Sequence, residues 1–229
     1  MSSPLVLARL LGALNLAVLF FGSFPMFVPA RVPVPGDAAA TAERILAAEP
    51  LFRLGIASSV AMSTLFVFIA LLWYALLAPV GRGAARLMAA LILVSLPVAL
   101  ASELCQVSAL LLAQDGAHAL VPRALELHGY GVTIAGLFWG LWLFPLGLLV
   151  FRSGFLPRAL GALLMIGSPG WVIRFVQALL FPGSEATLWS NPPLVVTHVA
   201  ELAITAWLLI RGVDTERWRA RAVPEGAAS

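Results

Sequence analysis

The sequence predicts an all-α integral membrane protein, a bundle of about six transmembrane helices with both termini cytoplasmic. Three observations carry this: six apolar runs of hydrocarbon length, a charged share of only 11%, and arginines gathered at the ends of the runs. A soluble domain carries roughly 25% charged residues, so the deficit points to lipid as the solvent. A mean hydropathy of +0.99 agrees.

A helix needs roughly 20 apolar residues to cross the hydrocarbon core. The candidate spans are 5–27, 55–77, 87–113, 130–151, 159–181 and 194–210, and the whole chain, 1–229, reads as one transmembrane domain. Lipid offers no hydrogen-bond partner to a backbone, so continuously apolar runs must be helices. A β-barrel would show alternating polarity in segments of roughly ten residues. The first run is longer than the core of a signal peptide, which argues for a retained span over a leader ending at Val28-Pro29-Ala30.

The connections fit these spans. Asp37 is an expected N-cap for a short Ala-rich surface helix before the second span. Residues 114–128 read as a polar connection with a short amphipathic turn, and 182–193 as a Pro/Gly/Ser/Asn loop. Pro97, Pro145 and Ser168-Pro169-Gly170 are expected to kink spans three, four and five.

All fourteen basic residues are arginine. Arg82, Arg86, Arg152, Arg158, Arg211, Arg217, Arg219 and Arg221, with Arg9 nearby, fall on one side. Arg31, Arg44, Arg53 and Arg123 share the other side with six acids. The Arg-rich side is expected to be cytoplasmic, in a bacterial inner membrane. Scattered clusters of this kind do not form the continuous basic face that nucleic acid requires. Arg217-Trp218-Arg219 reads as an anchor to anionic lipid.

Two stretches carry a family resemblance: residues 35–56, PGDAAATAERILAAEPLFRLGI, and residues 151–164, FRSGFLPRALGALL, the latter preceded by a Gly-rich fourth span. Together they resemble the bacterial multi-pass proteins of domain-of-unknown-function family four-three-eight-six. The resemblance implies fold and topology and transfers no catalytic residue. In the second stretch Ser153-Gly154 can turn the chain, and Pro157 suits the first turn of the next helix.

Charges inside spans cost about 2.5–3.5 kcal/mol each on insertion scales. Glu103, Arg174 and Glu201 are therefore the candidate site residues, joined by Gln106, Gln177 and His198. Glu103 and Gln106, Arg174 and Gln177, and His198 and Glu201 are each spaced i, i+3, which puts each pair on one helix face. At 1.5 Å rise per residue, Glu103, Arg174 and His198 fall about 5–6 Å from the midplane on one side, with Glu201 near the midplane. Matched depth suggests one polar cluster from spans three, five and six.

Two readings of that cluster stand. One is a site that binds or conducts a small ligand, ion or proton. The other is a neutralised packing element in an accessory or scaffold subunit of a larger membrane complex. The lipid bilayer, and other membrane subunits in the second reading, are the expected partners. No metal set is visible, because three histidines are too few and too scattered, and no cofactor is implied. His118 and His128 read as solvated loop residues. No phosphate loop, dinucleotide fingerprint or nucleophile elbow occurs, so no catalytic residue is assigned. Gly136-Leu-Phe-Trp-Gly140 reads as a close-packing motif within the bundle rather than a dimer contact.

Overall fold

A computed structural model of the chain describes residues 3–28, 31, 33–181 and 191–222. Residues 1, 2, 29, 30, 32, 182–190 and 223–229 lie outside the described residues, and with them most of the expected Pro/Gly/Ser/Asn loop. Among the described residues the regular structure is helical throughout: α1 (Pro4–Ser23), α2 (Ala38–Ala47), α3 (Glu49–Leu77), α4 (Arg82–Gln114), α5 (Val121–Ser153), α6 (Arg158–Gly167), α7 (Pro169–Leu180), α8 (Pro192–Ile210) and α9 (Thr215–Ala222), with 3₁₀ turns at Phe24–Phe27 and His118–Leu120. Six helical segments are long and apolar enough to cross a membrane: Pro4–Phe27, Glu49–Leu77, Arg82–Gln114, His118–Ser153, Arg158–Leu180 and Pro192–Ile210.

Three helices start at least a turn earlier than hydropathy suggests, α4 at Arg82 rather than near residue 87. Helix α3 begins at Glu49 rather than near residue 55, and α5 at Val121 rather than near residue 130. In α3 and α5, a proline falls at the second helical position, where its missing N–H removes no intrahelical bond. These first turns are too polar for a hydropathy cut, yet they are helical.

The described residues divide into two compact units. The first comprises Met1–Leu16, Val67–Ser95 and Gly136–Ser229; the second comprises Ala17–Phe66 and Leu96–Ala135.

In the first unit, α5 presents glycines to α6 and α7. A Cβ on Gly140 would lie 2.7 Å from the Ser168 carbonyl oxygen, and one on Gly136 would lie 3.0 Å from the Trp171 ring. The Gly-x-x-x-Gly stripe is thus spent on internal packing. At Ser168-Pro169 the fifth span breaks into α6 and α7. Helix α8 takes up carbonyls at the break: Thr197 Oγ1 donates to Gly167 O at 2.6 Å, and Asn191 Nδ2 to Gly170 O at 2.8 Å. The turn after α5 has Gly154 at φ 75°, and Ser153 Oγ accepts from Leu156 N at 3.2 Å. Trp218 of α9 is buried and donates from Nε1 to Leu76 O at 2.8 Å, closing the end of α3. The tail is therefore anchored by a protein contact at Trp218, with Arg219 and Arg221 left exposed.

In the second unit, Asp37 caps α2 by accepting from Ala40 N at 2.8 Å. Thr41 Oγ1 accepts from Val34 N at 2.9 Å and fixes the preceding turn. Ala42 and Ile45 of α2 join Val28, Phe52 of α3, Ala109, Leu110 and Ala113 of α4, and Val121, Ala124 and Leu125 of α5 in one apolar cluster. Loss of the cap exposes an orphan N–H. Asp37→Ala is expected to lower stability by about 1 kcal/mol. Thermal unfolding in detergent micelles would show it, and Asp37→Asn should recover most of the loss.

Candidate functional site

Directly beneath that apolar cluster lies a buried polar one. On α4, Glu103 and Gln106 are one to two turns before Ala109 and Leu110. On α5, His128 is one turn after Ala124 and Leu125. On α3, Ser59 is two turns after Phe52. Arg31 follows the end of α1, held by a 3.1 Å bond from its own N–H to Val28 O.

Arg31 Nη2 donates to Glu103 Oε2 at 2.9 Å, and the two side chains are only 11% and 8% exposed. Arg31 Nη1 reaches Ser59 Oγ at 3.5 Å. Gly55, one turn before Ser59, makes room: a Cβ there would sit 3.3 Å from Arg31 Nε. Burial holds the Arg31 guanidinium below its ordinary value, while the Glu103 carboxylate pulls it the other way.

The second carboxylate oxygen, Glu103 Oε1, is 3.9 Å from His128 Nδ1. That is ion-pair range but too long for a hydrogen bond. His128 Nδ1 lies 3.0 Å from the Ser102 carbonyl oxygen, which can only accept, so Nδ1 carries a hydrogen. His128 Nε2 lies 2.8 Å from Gln106 Nε2, and with the amide in this orientation the ring nitrogen accepts. One consequence is that Gln106 Oε1 is buried without a hydrogen-bond partner, as is Arg31 Nε. Helices α4 and α5 can approach this closely because residue 131 is glycine; a Cβ there would run into Ser102.

The first unit holds a different constellation. The Arg174 guanidinium lies over Trp171, 5.6 Å from the ring centroid. The His198 ring is 6.0 Å from the same indole. Trp171 packs edge-on against Trp139 at 5.2 Å and 85°, and Trp139 Nε1 donates to Ser95 Oγ at 3.2 Å. His198 Nδ1 lies 2.7 Å from Leu194 O.

Of the six residues expected to share a cluster, Glu103 and Gln106 lie in the second unit, and Arg174, Gln177, His198 and Glu201 in the first. His128 links Glu103 and Gln106, and Trp171 links Arg174 and His198. Among the described residues no three His, Cys, Asp or Glu side chains gather as a metal-ligand set.

The profile of the family described as Domain of unknown function (DUF4386) matches residues 10–212, nearly the whole chain. The chain belongs to this family. An uncharacterized protein of Archaeoglobus fulgidus is 37% identical over 76 residues, 33% of this chain and 43% of the relative. The aligned segment thus spans less than half of that relative's length. No solved structure matches the chain.

Three residues of this DUF4386 protein's polar cluster escape a sequence reading: Arg31, Ser59 and His128. Arg31 lies in a connection by hydropathy, and nothing local ties it to Glu103, 72 residues away. His128 is not a solvated loop residue. It sits two turns inside α5, with its side chain 18% exposed. A signal for it exists: Val121, Ala124, Leu125 and His128 are spaced i, i+3, i+4, i+7, one helix face.

Proposed function

We propose that this protein takes up and releases a proton at the Glu103–His128 couple, with Arg31 holding the carboxylate and the Gln106 amide turning to follow the proton. One observation carries the reading. Gln106 donates to His128 Nε2 at 2.8 Å while its own Oε1 is buried and unpaired.

An unsatisfied buried acceptor costs about 1–3 kcal/mol. The idle acceptor gains a use when His128 takes a proton on Nε2. The new N–H then needs an acceptor, and rotation of the Gln106 amide supplies Oε1. The Nδ1 hydrogen stays on the Ser102 carbonyl throughout. The imidazolium formed has Glu103 Oε1 at 3.9 Å as its counter-charge, and Arg31 holds the other oxygen of that carboxylate in place. Arg31 and Glu103 are the charged groups facing the ring among the described residues. Release of the proton reverses each step.

Helix α2 and its apolar cluster cover this site at one end. We place that end outside and the arginine-rich end in the cytoplasm of a bacterial plasma membrane. The arginine asymmetry supports this orientation.

The test is nitrogen NMR of histidine-labelled protein in lipid nanodiscs, with resonances assigned by single substitutions. The His128 ring nitrogens are expected to report a neutral-to-charged transition as the pH falls. Gln106→Leu and Glu103→Gln should displace that transition, and His118 should be unaffected by either. His128 resonances that do not move with pH while the protein stays folded would overturn the reading.

A further inference from the structure

Arg174 has no carboxylate partner among the described residues. It belongs to α7, in the span Arg158–Leu180, and its side chain is exposed. Its protein contact is the face of Trp171.

Helix α8 has 19 residues, about 28 Å of helix, against a hydrocarbon core of about 30 Å. Its ends therefore lie near the core boundaries. Arg174 is six residues before the end of α7 and His198 six residues after the start of α8. Both are thus about 9 Å from the same helix ends. An exposed guanidinium at that depth needs an anion.

We infer that Arg174, Trp171 and His198 form a binding site for the phosphate of an anionic phospholipid, independent of the polar cluster beneath α2. The chemistry is complementary. The guanidinium offers paired N–H groups to a phosphate, a geometry that lysine lacks. Trp171 holds the guanidinium plane from one side and is itself braced edge-on by Trp139. His198 has Nδ1 committed to Leu194 O and an exposed side chain. Its Nε2 is therefore the nitrogen left to meet a phosphate oxygen, as a donor when protonated. The arginine-rich surface around α9 attracts anionic lipid diffusely, whereas this site holds one molecule.

The experiment uses the full chain in dodecylmaltoside with added phosphatidylglycerol, or with monogalactosyldiacylglycerol, which has no phosphate. Native mass spectrometry counts the retained lipids. The wild type should retain one phosphatidylglycerol at roughly tenfold lower concentration than the galactolipid, the scale of one charge-assisted contact. Arg174→Gln should erase that preference, while Arg219→Gln on α9 leaves it intact. If Arg174→Gln does not fold, Arg174→Lys keeps the charge and should still lose preference several-fold. Equal retention of the two lipids by the wild type would overturn the inference, as would unchanged preference in the Arg174 variants. Displacement of the bound lipid by inorganic phosphate at equal concentration would assign the site to a soluble anion and overturn the lipid assignment.

Discussion

Arg31→Ala should destabilise the protein by about 3–5 kcal/mol, the scale for removing one partner from a buried ion pair. The carboxylate of Glu103 would lose its 2.9 Å donor while remaining 8% exposed. His128 cannot replace the arginine without leaving the Ser102 carbonyl, since one Nδ1 hydrogen serves one strong acceptor. Arg31→Lys should fall between the wild type and alanine. An ammonium is a point charge, and one lysine nitrogen cannot bond both Glu103 Oε2 and Ser59 Oγ from two positions as Nη2 and Nη1 do. Arg31→Met combined with Glu103→Leu should recover most of the loss, because an apolar pair leaves no orphan charge.

The measurement is a double-mutant cycle by reversible unfolding in mixed micelles. A loop arginine on a surface would give about 0–1 kcal/mol and lose it in salt. A coupling that small would therefore refute the buried pair. By contrast, the exposed Arg53–Glu49 and Arg123–Glu126 pairs serve as internal controls and should show the weak, salt-sensitive behaviour.

The contrast between Asp37 and Arg31 shows what the sequence can and cannot convey. Asp37 caps a helix starting one residue later, and Ser168-Pro169 breaks a helix where it stands. Both effects act through backbone groups within a few residues, so both are legible. The six spans are legible because lipid imposes a length and a composition. Glu103 is legible as a residue that needs a partner, since a charge in a span is costly. The identity of the partner is not. Arg31 reaches Glu103 only because a 3₁₀ turn over Phe24–Phe27 and a bond to Val28 O hold the chain back over the bundle. Hydropathy cannot see that. His128 is lost for a related reason: a cut by apolarity starts the fourth span near residue 130, yet α5 begins at Val121 with a polar outer face. Helix periodicity, read before hydropathy, would have placed His128 on the buried face.

Gly161→Ala should be strongly damaging in the first unit. A Cβ at this position would lie 2.6 Å from Gly147 O and 2.8 Å from Phe151 Cα. Both are backbone atoms of α5, which no rotamer change can move. Nor can the opposite face yield, because a Cβ on Gly147 would in turn lie 2.7 Å from Gly161 O. The two helices touch glycine to glycine, so adding carbon forces α5 and α6 apart as rigid bodies. Separation would loosen α6 against α8, where Thr197 bonds Gly167 O. Overpacking costs about 1–3 kcal/mol where side chains can adjust; with backbone on both sides the loss should be about 3 kcal/mol or more. Gly129→Ala is the matched control. It lies inside α5, is exposed, and has nothing within 4 Å of its Cβ position. There the helix propensity of alanine dominates, and stability should rise by about 0.5–1 kcal/mol. Unfolding midpoints in one detergent compare the two directly. If Gly161→Ala matched Gly129→Ala, then α5 and α6 would not be in backbone contact.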